Sequence, residues 1–505
     1  MFKMINNTIA ILKGYPFVIC GVVLVLYAIF NRYGRGLSRF NGPFLASLTS
    51  LWGTWNVWST ADRPPYVHLH EKYGHVVRLS PNKLSFAQPA AIRDIYGPNG
   101  FAQKSDLHLV SQQTSRGVAF PTLFSTTDSK WHDSVRRCVN FGFSMTTMVQ
   151  YEAYVNETIK VFLQQIEARF AGKEGPGGVI DFPTWLHFFT DDAITNVTYG
   201  KMMGHLEAGE DVNGILAYMY AASKYHILVA QAPSLDYVVR KNPLYMWLNR
   251  HGWFNPSPSK SVPFAMKRQQ ERRQLLAEKK MDGDAEEQTL TDKFIHAAET
   301  HPDIMGNNEV LAMGLSIIAA GSDTTAISLS AVFYYLLKNP ECYRKLMEEV
   351  DATFSAKAAQ SVTYSLISFA EAQRLPYLNA CIKETFRLHP ATRWFPERVV
   401  PASGHTICGE HIPGGTVVGV SAWVLHRNTD IFGRDVEIFR PERWLDDNIE
   451  KVREMDRMLS HFGSAGNYTC IGKNIALLEM YKFVPAVIRY FEVRFCTQKL
   501  ILNEP

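Results

Sequence analysis

The sequence predicts a mainly α-helical protein with small β-sheets, and three observations carry that prediction. Apolar residues recur at helical spacing over most of 149–340 and again after residue 470. Alternating apolar and polar residues are confined to short runs bounded by Gly and Pro, around Pro81 and Asn82 and around Gly404, Pro413, Gly414 and Gly415. One cysteine, Cys470, stands where a glycine-rich loop gives way to a long helix. A chain of 505 residues, 46% hydrophobic and 20% charged, can bury a large core. Its net charge of +4 makes no case for a nucleic-acid partner. The seven cysteines are scattered, odd in number and without a C-x-x-C pair, which argues against a disulfide framework or a zinc site.

Taken in order, residues 9–30 are apolar apart from Lys13, Gly14 and a few small residues, and 15–30 carry no charge. Lys13 can snorkel and lengthen this slightly short span. Arg32, Arg35 and Arg39 outnumber Lys3 and Lys13, so the positive-inside rule puts the N-terminus in the lumen and the body in the cytosol. No small-residue cleavage site follows, which makes the run an uncleaved signal anchor. The expected organisation is a luminal tail over 1–14, a transmembrane anchor over 15–30, a basic, proline-containing hinge over 31–50 and one large domain over 51–505. The sequon at Asn6 would then be luminal and a glycosylation site, whereas Asn156, Asn196 and Asn467 would not meet that machinery.

Asn41-Gly42-Pro43 forces an extended turn, and 70–97 reads as a hairpin followed by a helix. Over 128–144, Asp128 or Ser129 can cap a helix that sets His132 and Arg136 on one face, where the arginine can grip a carboxylate bidentately. A Pro- and Ser-rich loop covers 252–262, and 267–280 is a charged helix with a solvated face. The long apolar helix over 308–340 holds Gly321, Ser322, Asp323, Thr324 and Thr325 at its middle. Such small and hydroxyl residues open a groove and let a side chain or water enter the backbone ladder. Glu384 and Arg387, three apart on the next helix, are stable in an interior only as a pair with further hydrogen bonds. Residues 392–428 read as alternating β runs. At the end of the loop, exposed N–H groups and the positive dipole end of the following helix favour a Cys470 thiolate with a lowered pKa, suited to a soft metal, while Gly466 and Gly472 let a flat ligand approach the backbone.

In this order the motifs resemble those of the cytochromes P450. Gly466, Cys470 and Gly472 stand where that family's cysteine-ligand loop has them; Phe462 lies one residue farther upstream, and Tyr468 replaces a basic residue. The resemblance implies the P450 fold behind an N-terminal transmembrane helix, and haem b with Cys470 as its thiolate ligand, which in this class favours O–O cleavage. It implies haem contacts from His132, Arg136, Arg398, Phe462, Gly466, Tyr468 and Gly472. Ala320 to Thr324 match the oxygen-binding segment, with Thr324 hydrogen-bonding dioxygen and Asp323 relaying protons. Glu384, Arg387 and Arg443 match a structural triad that holds the cysteine loop. Ala320, Gly321, Ala391, Thr392 and Trp394 are placed beside the substrate.

The implied function is a monooxygenase inserting one atom of dioxygen into an apolar small molecule. Its electrons would come from NADPH through the membrane-bound NADPH–cytochrome P450 reductase, since the chain has no flavin or nicotinamide motif, and its place would be the endoplasmic reticulum membrane. The wording of 472–491, SAWVLHRN and FRPERWL is similar to the fungal pisatin demethylase-like group, many of which tailor secondary metabolites. Two other readings use the same motifs: a haem-thiolate isomerase or dehydratase that needs no reductase, and a membrane-tethered haem protein without turnover.

Overall fold

Helical spacing of apolar residues produces an architecture dominated by helices, seen in a computed structural model that describes residues 16–496 except 61–63, 65, 99, 116–117, 174, 254–260, 283–287, 356–363, 464–465 and 467. The expected luminal tail with Asn6, most of the 252–262 loop and Asn467 lie outside the described residues. The elements that frame the site are α1 (Pro16–Tyr33), β1 (Val76–Ser80), β2 (Lys83–Phe86), α2 (Ser129–Val139), α3 (Met145–Arg169), α4 (Phe182–Tyr199), α5 (Ile215–Val229), α6 (Asn307–Lys338), α7 (Pro376–Leu388), β3 (Arg398–Val399), β4 (Val417–Val420) and α8 (Lys473–Tyr490).

The core forms where α6 crosses α4 and meets α7 and α8. Glycine allows the closest approach: a Cβ on Gly321 would lie 2.9 Å from Ile194 of α4, and one on Gly314 2.4 Å from the Tyr199 hydroxyl. Four aromatic rings lock the bundle, with Phe483 of α8 4.1 Å from Phe189, 4.8 Å from Phe162 and 6.3 Å from Phe333. Each such pair adds about 0.5–1.5 kcal/mol beyond area burial. They fix α8, and with it the cysteine at its head, against α6.

α6 runs unbroken through its Gly-Ser-Asp-Thr-Thr centre, where the sequence reading expected an interrupted ladder. The hydroxyls take up local carbonyls instead, Thr324 donating to Ala320 at 2.7 Å and Ser328 to Thr324 at 2.8 Å. Among the described residues α6 is the one helix long and apolar enough to cross a bilayer, but half of that stretch is buried inside the protein, which makes it a core helix.

The hairpin appears where alternation placed it, β1 pairing antiparallel with β2. The sheet order is β1-β2-β4-β3, with β2 and β4 parallel. Arg398 opens β3 opposite Val418. The expected β reading of 392–428 fails after Ser421. Its carbonyl accepts the N–H groups of Val424 and Leu425, and Ala422–Leu425 is a helical turn that delivers His426 into the core.

α1 is shorter than a full span within the described residues and carries exposed apolar side chains, Phe17, Val22, Leu24, Leu26 and Phe30 among them. Its C-terminal end is docked, not free. The buried Arg78 guanidinium of β1 donates to the carbonyls of Asn31 at 2.6 Å, Arg32 at 3.1 Å and Pro81 at 2.8 Å. The Asn41 carbonyl accepts from the Arg78 N–H at 2.8 Å, and Gly42 packs so tightly on this strand that a Cβ would lie 2.3 Å from the Arg78 carbonyl.

Candidate active site

Cys470 lies just before α8, whose N-cap is Gly472. Its N–H donates to the Phe462 carbonyl at 2.9 Å, and Gly466, at φ +99°, makes the turn before it. Cys470 is open to solvent as a residue, yet it lies deep among protein atoms, as a side chain facing an interior opening does. Burial pushes its thiol pKa up, opposed by the N–H groups of Gly472 and Lys473 and by the Arg136 charge. This corrects the expected lowering: the helix end contributes with the expected sign, but desolvation of a thiolate is larger. A coordinated metal reverses the balance, because a ligating thiol is deprotonated outright.

Beside the cysteine, Tyr468 is held between rings and cations. His132 stacks on it with centroids 4.4 Å apart, the Arg398 guanidinium lies 4.5 Å from its centroid and the Lys104 ammonium 5.3 Å. The cap predicted for α2 forms, with Asp128 accepting from Lys130 and Trp131. His132 itself is buried, bonded to Asp133 at 3.0 Å, and burial lowers its pKa to about 4. It is neutral, and the charge of this cradle comes from Lys104, Arg136 and Arg398. The Arg398 Nε and the Tyr468 hydroxyl are buried without a partner. The nearby Glu397 is engaged elsewhere, by Lys83 and Ser105. Three cations around two orphaned donors form a site for a dianion.

Lys104 records the cost of that cradle. Burial, then Arg398 and Arg136, lower its ammonium from 10.5 to about 7. The unfolded chain holds this proton up to the ordinary value, so between those two values it binds more protons than the folded chain. Stability of the cofactor-free protein therefore rises with pH across that window. Lys104→Met should flatten this rise in a melting-temperature series, and a dianion bound in the cradle should abolish it in the wild type. A wild-type profile parallel to the variant's would refute it.

On the central helix, Ala319 and Ala320 are exposed although they lie at its middle, which marks an interior opening. Asp323 accepts from the Ser223 hydroxyl of α5 at 3.3 Å and lies 3.6 Å from the His187 imidazole of α4. Burial raises its carboxyl pKa, partly offset by His187 and Ser223. Thr324 is the next residue. Gly321 sits at the α4 crossing already described. Ala391, Thr392 and Trp394 lie in the irregular segment before β3; the Thr392 carbonyl accepts from Trp423, and Trp394 contacts His226 and Phe124.

Glu384, Arg387 and Arg443 meet in the interior, each almost wholly buried. Glu384 accepts from Arg387 at 2.8 and 2.9 Å, from Arg443 at 2.8 Å, from the Trp444 indole at 3.0 Å and from the Arg440 N–H at 3.0 Å. The link to the cysteine loop runs through His426. Its Nδ1 donates to the Arg387 carbonyl at 3.1 Å, and its Nε2 accepts from the Ser460 N–H at 2.9 Å. Burial lowers its pKa to about 3, so this tautomer persists at neutral pH.

Lys104, His187, Ser223 and His426 escaped the sequence reading. None sits in a spaced motif. Only the SAWVLHRN wording touched one of them, and there it was read as strand.

A family model described as Cytochrome P450 matches residues 47–505. A cytochrome P450 monooxygenase of Aspergillus terreus is 39% identical over 481 residues, 95% of each chain. The monooxygenase cicH of Emericella nidulans is 37% identical over 473 residues, covering 93% of this chain and 91% of the relative. The monooxygenase pkfB of the same organism is 35% identical over 478 residues, covering 92% and 89%.

Proposed function

Since the chain belongs to the cytochrome P450 family and is a monooxygenase of that kind, we propose that it oxidises an apolar small molecule in fungal secondary metabolism, with electrons from NADPH through the membrane-bound reductase. The observation that carries the reading is the conjunction of Cys470 at the head of α8 with a cationic cradle in which the Arg398 Nε and the Tyr468 hydroxyl lack partners. These residues fit haem. Cys470 would ligate the iron, and Arg136, Arg398, Lys104 and the Tyr468 hydroxyl would hold the two propionates, so the positive charge missing at position 468 is supplied by Lys104. When bound, haem supplies one-electron redox chemistry and oxygen activation.

The chain's own part in the chemistry is proton handling. Asp323, its carboxyl pKa raised by burial, lies between Ser223 and His187 where it can take up and pass on a proton, and Thr324 places a hydroxyl beside it on α6. This acid–hydroxyl pair favours a monooxygenase, which takes up protons from outside to release water, over an isomerase or dehydratase, whose net proton uptake is zero. On the other side of the cysteine loop, a cavity of about 540 Å³ is lined by Lys383, Arg453, Arg457 and Lys473 against the single acid Asp456. This basic surface would receive the reductase. α1 would hold the domain on the cytosolic face of the endoplasmic reticulum, and the wording noted above supports a place in the pisatin demethylase-like group.

The test uses the haem-loaded, full-length protein with reductase. NADPH should reduce the haem, read as formation of the carbon monoxide complex, and product should require both NADPH and dioxygen. Asp323→Asn should slow product formation about 100-fold with the haem spectrum unchanged. Turnover without NADPH would return the isomerase reading to the front.

A further inference from the structure

The cavity behind the cysteine loop carries more than positive charge. Three helices build it with side chains spaced to share one face: Ile382 and Phe386 on α7, Leu477 and Tyr481 on α8, and Arg453 and Arg457 on the helix Ile449–Met458. The loop adds an aromatic floor. His461 stacks on Phe386 with ring centroids 3.7 Å apart, and Phe462 lies 4.0 Å from His461 and 5.4 Å from Phe386. Burial, then His426 and Lys473, hold the His461 imidazole well below its ordinary pKa, so this ring is a neutral part of the floor. Its volume of about 540 Å³ over such a lining falls in the range of small-molecule sites, roughly 300–1,000 Å³. A flat protein face would leave such a hollow unfilled.

Two of the four cations on its rim are already paired, Lys383 with Asp456 at 2.7 Å and Arg453 with Glu450 at 2.7 Å. The other two are not. Among the described residues no carboxylate pairs with Arg457 or Lys473, and the Lys473 ammonium faces the Phe462 ring, 6.0 Å from its centroid. Water solvates an exposed cation well, so these charges alone select nothing. Beside an apolar floor they select a molecule that has both an anionic and an apolar part: inorganic phosphate would leave the rings wet, and a hydrocarbon would leave the cations without a partner. An occupant would also touch the ligand loop. Phe462 offers its carbonyl to the Cys470 N–H at 2.9 Å, and Lys473 opens α8.

We propose that this cavity binds a small organic acid with an apolar body, its carboxylate at Arg457 and Lys473 and its body on Phe386, Phe462 and Leu477, and that the bound acid keeps the reductase off this face. The blocking half rests on the reductase reading above; the binding half does not. Haem-loaded, full-length protein is irradiated with 4-benzoylbenzoate and, in parallel, with 4-methylbenzophenone, a neutral photoprobe of the same shape, and peptide mass spectrometry places the adducts. The acid should label segments 449–462 and 473–481 with about tenfold more adduct than the neutral probe. Arg457→Glu and Lys473→Glu, both on exposed side chains, should each remove most of that excess. Equal labelling by the two probes, no labelling, or acid adducts only outside these segments would overturn the site without any variant having to fold. An excess that survives both substitutions would overturn the assigned cations. With reductase present, the acid should slow NADPH-driven haem reduction about fivefold, and added reductase should restore the rate. Labelling at the cavity with reduction unaffected would overturn the blocking. Failure of NADPH to reduce the haem without any acid would sink the monooxygenase reading and leave the labelling result standing.

Discussion

Cys470→Ala will lose the red-shifted Soret band of the reduced carbon monoxide complex, and NADPH- and dioxygen-dependent product formation will fall to background. The cradle of Lys104, Arg136 and Arg398 does not involve the sulfur, so the variant should still take up some haem, and its spectrum will report a different axial ligand. The two parts of the site separate in this experiment: the cations set occupancy, the thiolate sets electronic character. A retained thiolate band would mean that another of the free cysteines reaches the iron. The raised thiol pKa gives the result a second use. The raised pKa keeps this solvent-open thiol mainly protonated when no metal is bound, so thiol-labelling of the cofactor-free protein should speed up as pH rises.

The second large effect concerns stability. Glu384→Gln removes the carboxylate shared by Arg387 and Arg443 in the interior, leaving Arg443 only the partly exposed Asp435 carboxylate at 3.2 Å. Breaking a buried pair by deleting one partner costs about 3–5 kcal/mol, because the remaining charge stays buried without compensation. Here the Arg387 guanidinium loses the carboxylate it pairs with, and Arg443 keeps only Asp435. Their hydrogen bonds to the carbonyls of Val436, Ile438 and Phe432 persist, but those carbonyls carry no net charge. The expected result is a lower urea midpoint together with a lower haem content, since His426 transmits any shift of Arg387 to Ser460 and the cysteine loop. A lowered midpoint with normal haem content would show that the triad supports the fold without holding the loop.

What the sequence made legible was local. The hairpin around Pro81, the cap at Asp128, the start of α8 after Cys470 and the pairing of Glu384 with Arg387 all depend on spacings of a few residues, which periodicity and capping rules read directly. The rest depends on contacts between distant parts of the chain. Ser223 and Asp323 are 100 residues apart, and Lys104 meets Arg398 only because 104 bridges to the start of β3. From the sequence this cradle's charge falls to His132, Arg136 and Arg398; the neutral ring of His132 serves instead as a stacking surface for Tyr468, and Lys104 is the cation that spacing does not reveal. The thiol pKa went astray for the same reason: a helix end is visible in a sequence, whereas the amount of protein around a sulfur atom is not. At 421–428 alternation was real, but β4 had a neighbour for only a few residues, and a chain without a partner to pair with turned back on its own carbonyls.

The three carbonyls gathered by Arg78 have a mechanical meaning. A helix joined to a globular body through a slack linker transmits position and little else; one whose last turn is bolted to a strand transmits torque. Were α1 fixed in a bilayer, its tilt would set the attitude of β1, and through the sheet that of β3 with Arg398 at its head. The domain would then ride on a strut, its basic face turned at one angle to any partner on the same surface.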